Sequence, residues 1–265
     1  MTIALGHRRA RSVGLRPVRV GALARSTIGI VAYLVLWEVV GRRGWFGSTF
    51  PPLSDIVATL TGAQRRPVLA RAFSSTASAA GIGLVLGVVA AVSGAALSLV
   101  APPLRRGIDQ LAIILHAVPV ISLAPLFIVT IGREGTPIAI AALSAGFAMF
   151  VAATAAVEAA RPPQHDVFTA LGSGAVRRFV DLQLPASIPG MVDGLRLAAP
   201  AALLGAVLGE WFGAPRGLGV LIVSAMQNYQ IELLWAAALA TALTSMIVYG
   251  MLTRLARVAS RRWPS

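Results

Sequence analysis

The chain has 265 residues, 57% hydrophobic and only 12% charged, with a mean hydropathy of +0.78. Soluble domains are about 45–50% apolar and about 25% charged, so this composition belongs to a protein that crosses a membrane several times. The chain has no cysteine and no lysine, which excludes a disulfide framework, a thiolate metal site, a Walker A lysine and a Schiff-base lysine.

The first 25 residues hold His7 and six arginines and no acid, and read as a basic cytoplasmic tail. The apolar run that follows is too long for a signal peptide, and no small-residue cleavage site stands after it. A first span is expected over 26–41, with Glu38 near its far end. Residues 42–71 are mixed, with Phe50-Pro51-Pro52-Leu53 and a short amphipathic piece over 55–60. A second span covers 76–100 and contains Gly83-x-x-x-Gly87, a spacing that lets another helix backbone approach closely. That helix belongs either to the same chain or to a second subunit.

A third span is expected over 108–131, interrupted by Pro119 and Pro125. Prolines at membrane depth leave carbonyls unpaired and are tolerated where the helix is buried in protein or lines a wet cavity. A tight turn over 132–136 leads to a fourth span, 137–158. The double proline Pro162-Pro163 opens the longest polar interruption in the second half of the chain. Within it Val167, Phe168, Leu171 and Ala175 recur at helical spacing, as do Val176, Phe179 and Val180. Gly172 marks a stop between the two pieces, and Pro185 is expected to close the second. Ser187 and Pro189 read as the start of the next helix. A fifth span, 190–211, contains Gly205-x-x-x-Gly209 and ends on Glu210. A glycine-rich loop over 212–231 includes an apolar piece, 221–226. A sixth span, 233–255, precedes a basic C-terminal tail, 259–265, with Trp263 suited to an interface.

The expected fold is therefore all-α and polytopic, with six spans inside a membrane domain over 26–258 and a cytoplasmic segment over 159–189. Six spans put both termini on one side. Placing them in the cytoplasm leaves 16 arginines inside and 7 outside, the sense that orientation follows. The net charge of +13 thus reads as topology signals and contacts with the lipid bilayer, not as a nucleic-acid surface.

Bond chemistry has little to work with. His7, His116 and His165 are isolated, no metal spacing or nucleophile elbow is present, and the ten acids lie mostly near span ends. No catalytic residue and no metal site is assigned. Candidate path-lining residues are His116, Pro119, Ser122, Pro125, Thr130 and Ser144, with Glu210 as the most suggestive acid. Glu210 could pair with Arg216 or serve as a gate or receptor contact. His116 could equally pair with a backbone carbonyl or a headgroup.

Gly172, nine residues, then Leu182-x-Leu184-Pro185, lying between two spans, resembles the EAA cytoplasmic loop of permease subunits of bacterial binding-protein-dependent ABC importers. The family motif places its acid at Asp166 and its two alanines at Val167 and Phe168. The bulkier Val-Phe implies a groove shaped for a larger side chain. Glu158-Ala159-Ala160 looks like the motif but stands eight residues too early. Pro51-Pro52, Val118-Pro119, Ala124-Pro125-Leu126, Gly194-Leu195-Arg196, Glu210-Trp211-Phe212-Gly213 and Gly217-Leu218-Gly219 extend the likeness to the nitrate/sulfonate/taurine branch. The resemblance implies a type I importer permease without enzymatic activity or cofactor of its own. ATP–Mg would be held by a dimeric partner ATPase. An extracytoplasmic binding protein would deliver a small oxyanion or sulfonate, and a second permease copy would complete the path. The implied coupling residues are Asp166, Val167, Phe168, Leu171, Gly172, Leu184 and Pro185. Phe168 could instead pack under its own loop. A stand-alone secondary carrier is the competing reading; it would need inverted repeats and midplane acids, and the sequence offers neither.

Overall fold

The computed structural model describes residues 20–157, 167–168, 170–174, 177 and 179–262. Asp166, the Glu158-Ala159-Ala160 triplet, most of the N-terminal tail and Trp263 lie outside the described residues. Every regular element among those described is helical.

The chain divides into two compact units, Met1–Ser54 and Asp55–Ser265. In the first, α1 (Val20–Arg43) ends against its own continuation. The Trp37 indole donates to the Pro51 carbonyl at 3.2 Å and stacks on Phe50, with ring centroids 5.1 Å apart. Glu38, near the far end of α1, gathers Arg42 Nε at 2.6 Å, the Ser54 N–H at 3.0 Å and the Ser54 hydroxyl at 2.8 Å. Gly41 is needed there, because a Cβ would stand 2.6 Å from Pro52 Cα.

Helix α2 (Leu53–Thr61) begins at the last two residues of the first unit, and in the second unit it is followed by α3, which runs from Arg66 to Val100. Its 35 residues make a rod of about 52 Å, longer than the ~30 Å hydrocarbon core. Pro102 and Pro103 then restart the chain as α4 (Pro102–Ala117). Helix α4 stops at Val118, which is extended (φ −74, ψ 124) as the residue before a proline tends to be. A 3-10 turn, Val120–Leu123, leads into α5 (Ala124–Val157). Of the two expected interruptions only Pro119 breaks the helix. Pro125 falls in the first turn of α5, where its missing N–H has no partner to lose. The expected turn at 132–136 is a kink within α5, with Gly132 alone leaving the helical region (φ 78, ψ 175).

A π-helical turn, Phe179–Gln183, runs straight into α6 (Leu184–Glu210). Pro185 therefore opens a long helix and does not close a short one. It occupies one of the first two helical positions, where a proline lacks no needed donor. The start expected at Ser187–Pro189 moves back accordingly. Arg196 lies inside α6, not at its end. Its guanidinium contacts Asp193 at 3.3 Å and the Tyr249 ring at 5.5 Å, so it is no loop charge; without it the arginine bias keeps its sense. Helices α7 (Leu218–Gln227) and α8 (Ile231–Arg262) complete the unit. Among the described residues four stretches are long and apolar enough to cross a membrane: Arg66–Ser98, Val120–Ala156, Val180–Glu210 and Ile231–Val258. The expected first span, 26–41 in α1, is not among them, and the expected third, 108–131, is divided at Pro119: its first half lies in α4, too short to cross, and its second half runs on through α5 into the expected fourth.

Helices α3, α5 and α6 form the core. Ten of the twelve residues in their buried cluster are alanines, so the helices meet backbone to backbone and not through long side chains. A Cβ on Gly83 would lie 2.5 Å from Ala141 Cβ, and one on Gly87 would enter the Ala142 carbonyl. On the other side Gly205 faces Ser144 and Ala141, and Gly209 faces Pro137 Cα at 2.6 Å. Both small-residue motifs thus serve packing within the chain, the helices of a membrane interior being held by close van der Waals contact and not by hydrophobic expulsion. Gly87→Leu should destabilise the fold by about 1–3 kcal/mol through overpacking. Gly81→Leu, on the same helix but with open space around it, should not. Thermal unfolding of the two purified variants in detergent checks the contrast.

Candidate functional site

Two features stand at opposite ends of α6, whose 27 residues span about 40 Å. At its start lies the polar segment. Val167, Phe168 and Ala170 are helical, and the helix ends in a left-handed Gly172 (φ +66). The Leu171 N–H makes a helical bond to the Val167 carbonyl at 3.0 Å, and the Ser173 N–H donates back to the Phe168 carbonyl at 2.9 Å, the six-to-one bond of a Schellman-type end. Glycine adopts this conformation without steric cost. Leu171 is 75% exposed and Val167 56% exposed, whereas Phe168 is partly buried. Further on, Leu182 is buried while Leu184 is exposed and Pro185 partly covered. Arg177 pairs with Asp181 at 3.3 Å across one turn of this segment.

At the far end of α6, Glu210 is its last residue and only 1% exposed. The Thr76 hydroxyl lies 2.8 Å from Oε1, and the Gly219 N–H donates to Oε2 at 2.8 Å. Thr76 Oγ1 in turn accepts the Leu218 N–H at 2.8 Å. Leu218 and Gly219 are the first two residues of α7. Glu210 and Thr76 therefore cap α7 from two other helices, supplying acceptors to amides that have none within their own helix. The carboxylate also faces the positive end of the α7 dipole. Gly217 (φ +147) has the backbone this turn requires, and a Cβ there would overlap the Glu210 carboxylate. The expected pairing with Arg216 is not formed among the described residues. The turn brings the α7 amides to the carboxylate and leaves the Arg216 side chain exposed.

The candidate path residues separate. His116 and Ser144 line a mainly apolar cavity of about 1010 Å³ between α3, α4, α5 and α6, together with Leu86, Phe127, Phe147 and Leu204. The His116 ring stacks flat on Phe147 at 3.6 Å, so its partner is an aromatic face and not a carbonyl. Pro119, Ser122, Pro125 and Thr130 are not among the lining residues of this cavity. Ser122, Thr130 and Ser144 each donate to a carbonyl three or four residues back, at 2.7, 2.9 and 2.9 Å, which satisfies their hydroxyls locally. Sequence reasoning gave Thr76 no role. The available signal was an acid at the end of an apolar run followed by Gly-x-Gly, a pattern in which a backbone must pass close to a carboxylate.

A family model described as the binding-protein-dependent transport system inner membrane component matches residues 83–262. The formylaminopyrimidine transport permease protein ThiX of Halalkalibacterium halodurans is 26% identical over 195 residues, covering 73% of this chain and 77% of that protein. The putative aliphatic sulfonates transport permease protein SsuC of Bacillus subtilis is 27% identical over 213 residues, covering 77% and 74%. The riboflavin transport system permease protein RibX of Chloroflexus aurantiacus is 31% identical over 148 residues, about half of each chain (53% and 54%). Among solved structures, a chain of the MetNI methionine ABC transporter in inward-facing conformations superposes with a TM-score of 0.64. It covers 75% of this chain and 99% of that one at 16% identity, a likeness of fold.

The cap makes a graded prediction. Thr76→Val removes the acceptor of the Leu218 N–H and should cost about 1–3 kcal/mol. Gly217→Ala, which adds both strain and a clash, should cost more, and Gly29→Ala, with open space around it, should cost nothing. Thermal midpoints of the detergent-purified proteins give the ranking.

Proposed function

From the premise that the chain belongs to the binding-protein-dependent transport system inner membrane components, we propose that it couples to its ATPase through the capped knob at Val167–Gly172. The chain is a non-catalytic membrane subunit of an ABC importer. The observation that carries the coupling reading is the pair Leu171 and Val167, apolar and 75% and 56% exposed, on a turn fixed by Gly172. Exposed apolar side chains on a short rigid segment suit insertion into a groove of a partner. Asp166, outside the described residues, would flank that knob on its N-terminal side, and Phe168, partly covered, would support it from below.

The segment feeds through the π-helical turn into α6, and α6 packs on α3, α5 and α8. Leu184 and Pro185 stand where that turn becomes the long helix. A displacement of the knob by two ATPases closing on ATP–Mg would therefore move α6 as a rod and change the packing around it. Nucleotide would do so only by its differential affinity for the two arrangements. ATP–Mg belongs to the partner, since this chain has no phosphate loop and no lysine.

On this reading residues 159–189 and both termini face the cytoplasm and the Glu210 end of α6 faces outward, toward a binding protein. The apolar cavity between α3, α4, α5 and α6 would be covered in part by a second copy of the chain, giving a homodimeric path past His116 and Ser144. The cargo is a small solute. Similarity to an aliphatic sulfonate permease favours an oxyanion or sulfonate, while similarity to formylaminopyrimidine and riboflavin permeases leaves the selection to the binding protein.

Two experiments test this. Leu171→Asp and Phe168→Asp should each abolish co-purification with the ATPase while membrane insertion stays at the wild-type level; complex at wild-type yield would refute the knob. Because the chain has no cysteine, Gly174→Cys places a single thiol on the segment. A membrane-impermeant maleimide should label it in inside-out vesicles and not in intact cells, and the opposite pattern would reverse the orientation.

A further inference from the structure

A cavity of about 470 Å³ opens beside the Glu210 cap, and neither the coupling knob nor the apolar cavity uses it. Arg71, Ser74, Ser75 and Ser78 line one wall of it at the i, i+3, i+4, i+7 spacing of a single face of α3. Glu134 of α5, Glu210 at the end of α6 and Arg216 of the α6–α7 turn supply its other charged groups. Arg71, Glu134 and Arg216 have no ion-pair partner within 4 Å among the described residues, although charges of both signs border one space. The Glu210 carboxyl group also borders this space, its oxygens held by Thr76 and the Gly219 amide.

The serines are already committed as donors. Ser74 donates to the Arg71 carbonyl at 3.0 Å, Ser78 to Ser75 at 2.8 Å and Ser75 to Arg216 at 3.2 Å. A hydroxyl has one hydrogen, so what each serine still offers is lone pairs. The cavity thus presents two guanidiniums, which suit an oxyanion in a forked geometry. It also presents a carboxylate with a row of hydroxyl acceptors, which suit an ammonium or other N–H group. Its volume falls within the range of small-molecule sites.

We propose that this cavity is a solute site of the permease itself, taking a small zwitterion whose oxyanion meets Arg71 and Arg216 and whose ammonium meets Glu134 and the serine row. The site lies at the opposite end of α6 from the coupling segment. That it is reached from outside the cell rests on the orientation proposed above; that it binds does not. Selection by such a site would add to whatever a binding protein imposes.

The test needs neither ATP nor partners, so its failure is distinguishable from failure of the importer reading. The full-length permease in lipid nanodiscs is titrated with radiolabelled 2-aminoethanesulfonate, with ethanesulfonate and ethylammonium as competitors that each keep one charge. Saturable binding is expected, with both competitors at least tenfold weaker than the unlabelled zwitterion. Arg71→Gln/Arg216→Gln should weaken binding at least tenfold. Glu134→Gln should weaken the zwitterion and leave competition by ethanesulfonate unchanged. A Ser78→Cys variant, whose thiol would be the only one in the chain, covers the case of arginine variants that do not fold. Its modification by a methanethiosulfonate reagent should slow at least threefold with saturating 2-aminoethanesulfonate. No saturable binding, equal affinity in the arginine or Glu134 variants, or an unprotected thiol would overturn the proposal.

Discussion

The structure depends on how closely three helix backbones can approach. Helix α5 receives α3 at Gly83 and Gly87 and α6 at Gly205 and Gly209, and at each contact the space a Cβ would need is already filled. Alanine supplies most of the remaining interface. In a bilayer the lipid chains are as apolar as the side chains, so expulsion from water does not drive helices together. Dispersion between surfaces in full contact does, and small residues bring the largest area of backbone into that contact. Larger side chains then point outward, which accounts for the many exposed leucines, isoleucines and valines on α1, α3 and α8.

Close packing also sets where polar groups can be afforded. Glu210 is brought to the end of α6 directly against Thr76 of α3, and the chain turns back through Gly217 to present two free amides. A buried carboxylate without partners would be very costly. Here every acceptor has a donor, and the short helix α7 gains a cap that its own sequence lacks, since Gly217 has no side chain to provide one.

The two ends of α6 therefore differ in character. One end begins at a π-helical turn attached to an exposed apolar knob; the other ends in a satisfied polar cluster beside a polar cavity. Sequence identity to permeases for different solutes is compatible with this core, which is built from glycine and alanine and makes no reference to cargo.

Much of this was legible in the chain itself. Composition gave the membrane class, and hydrophobic runs located the long helices. The spacing from Gly172 to Leu184-Pro185 indicated the family, because each signal depends on local periodicity or on residues whose backbone preferences act alone. Gly172 is the clearest case: a left-handed cap needs no distant partner. The errors arose where the outcome depended on position within a helix. In the sequence Pro125 and Pro185 look like breakers, yet proline in a first turn begins a helix, and only the fold shows which turn it occupies. The roles of Thr76, Gly217 and Gly219 were hidden for a stronger reason. Thr76 and Glu210 are 134 residues apart. No local pattern can report that a hydroxyl on one helix and a carboxylate on another will meet at the start of a third, because that meeting is created by the approach of backbones that only the tertiary packing decides.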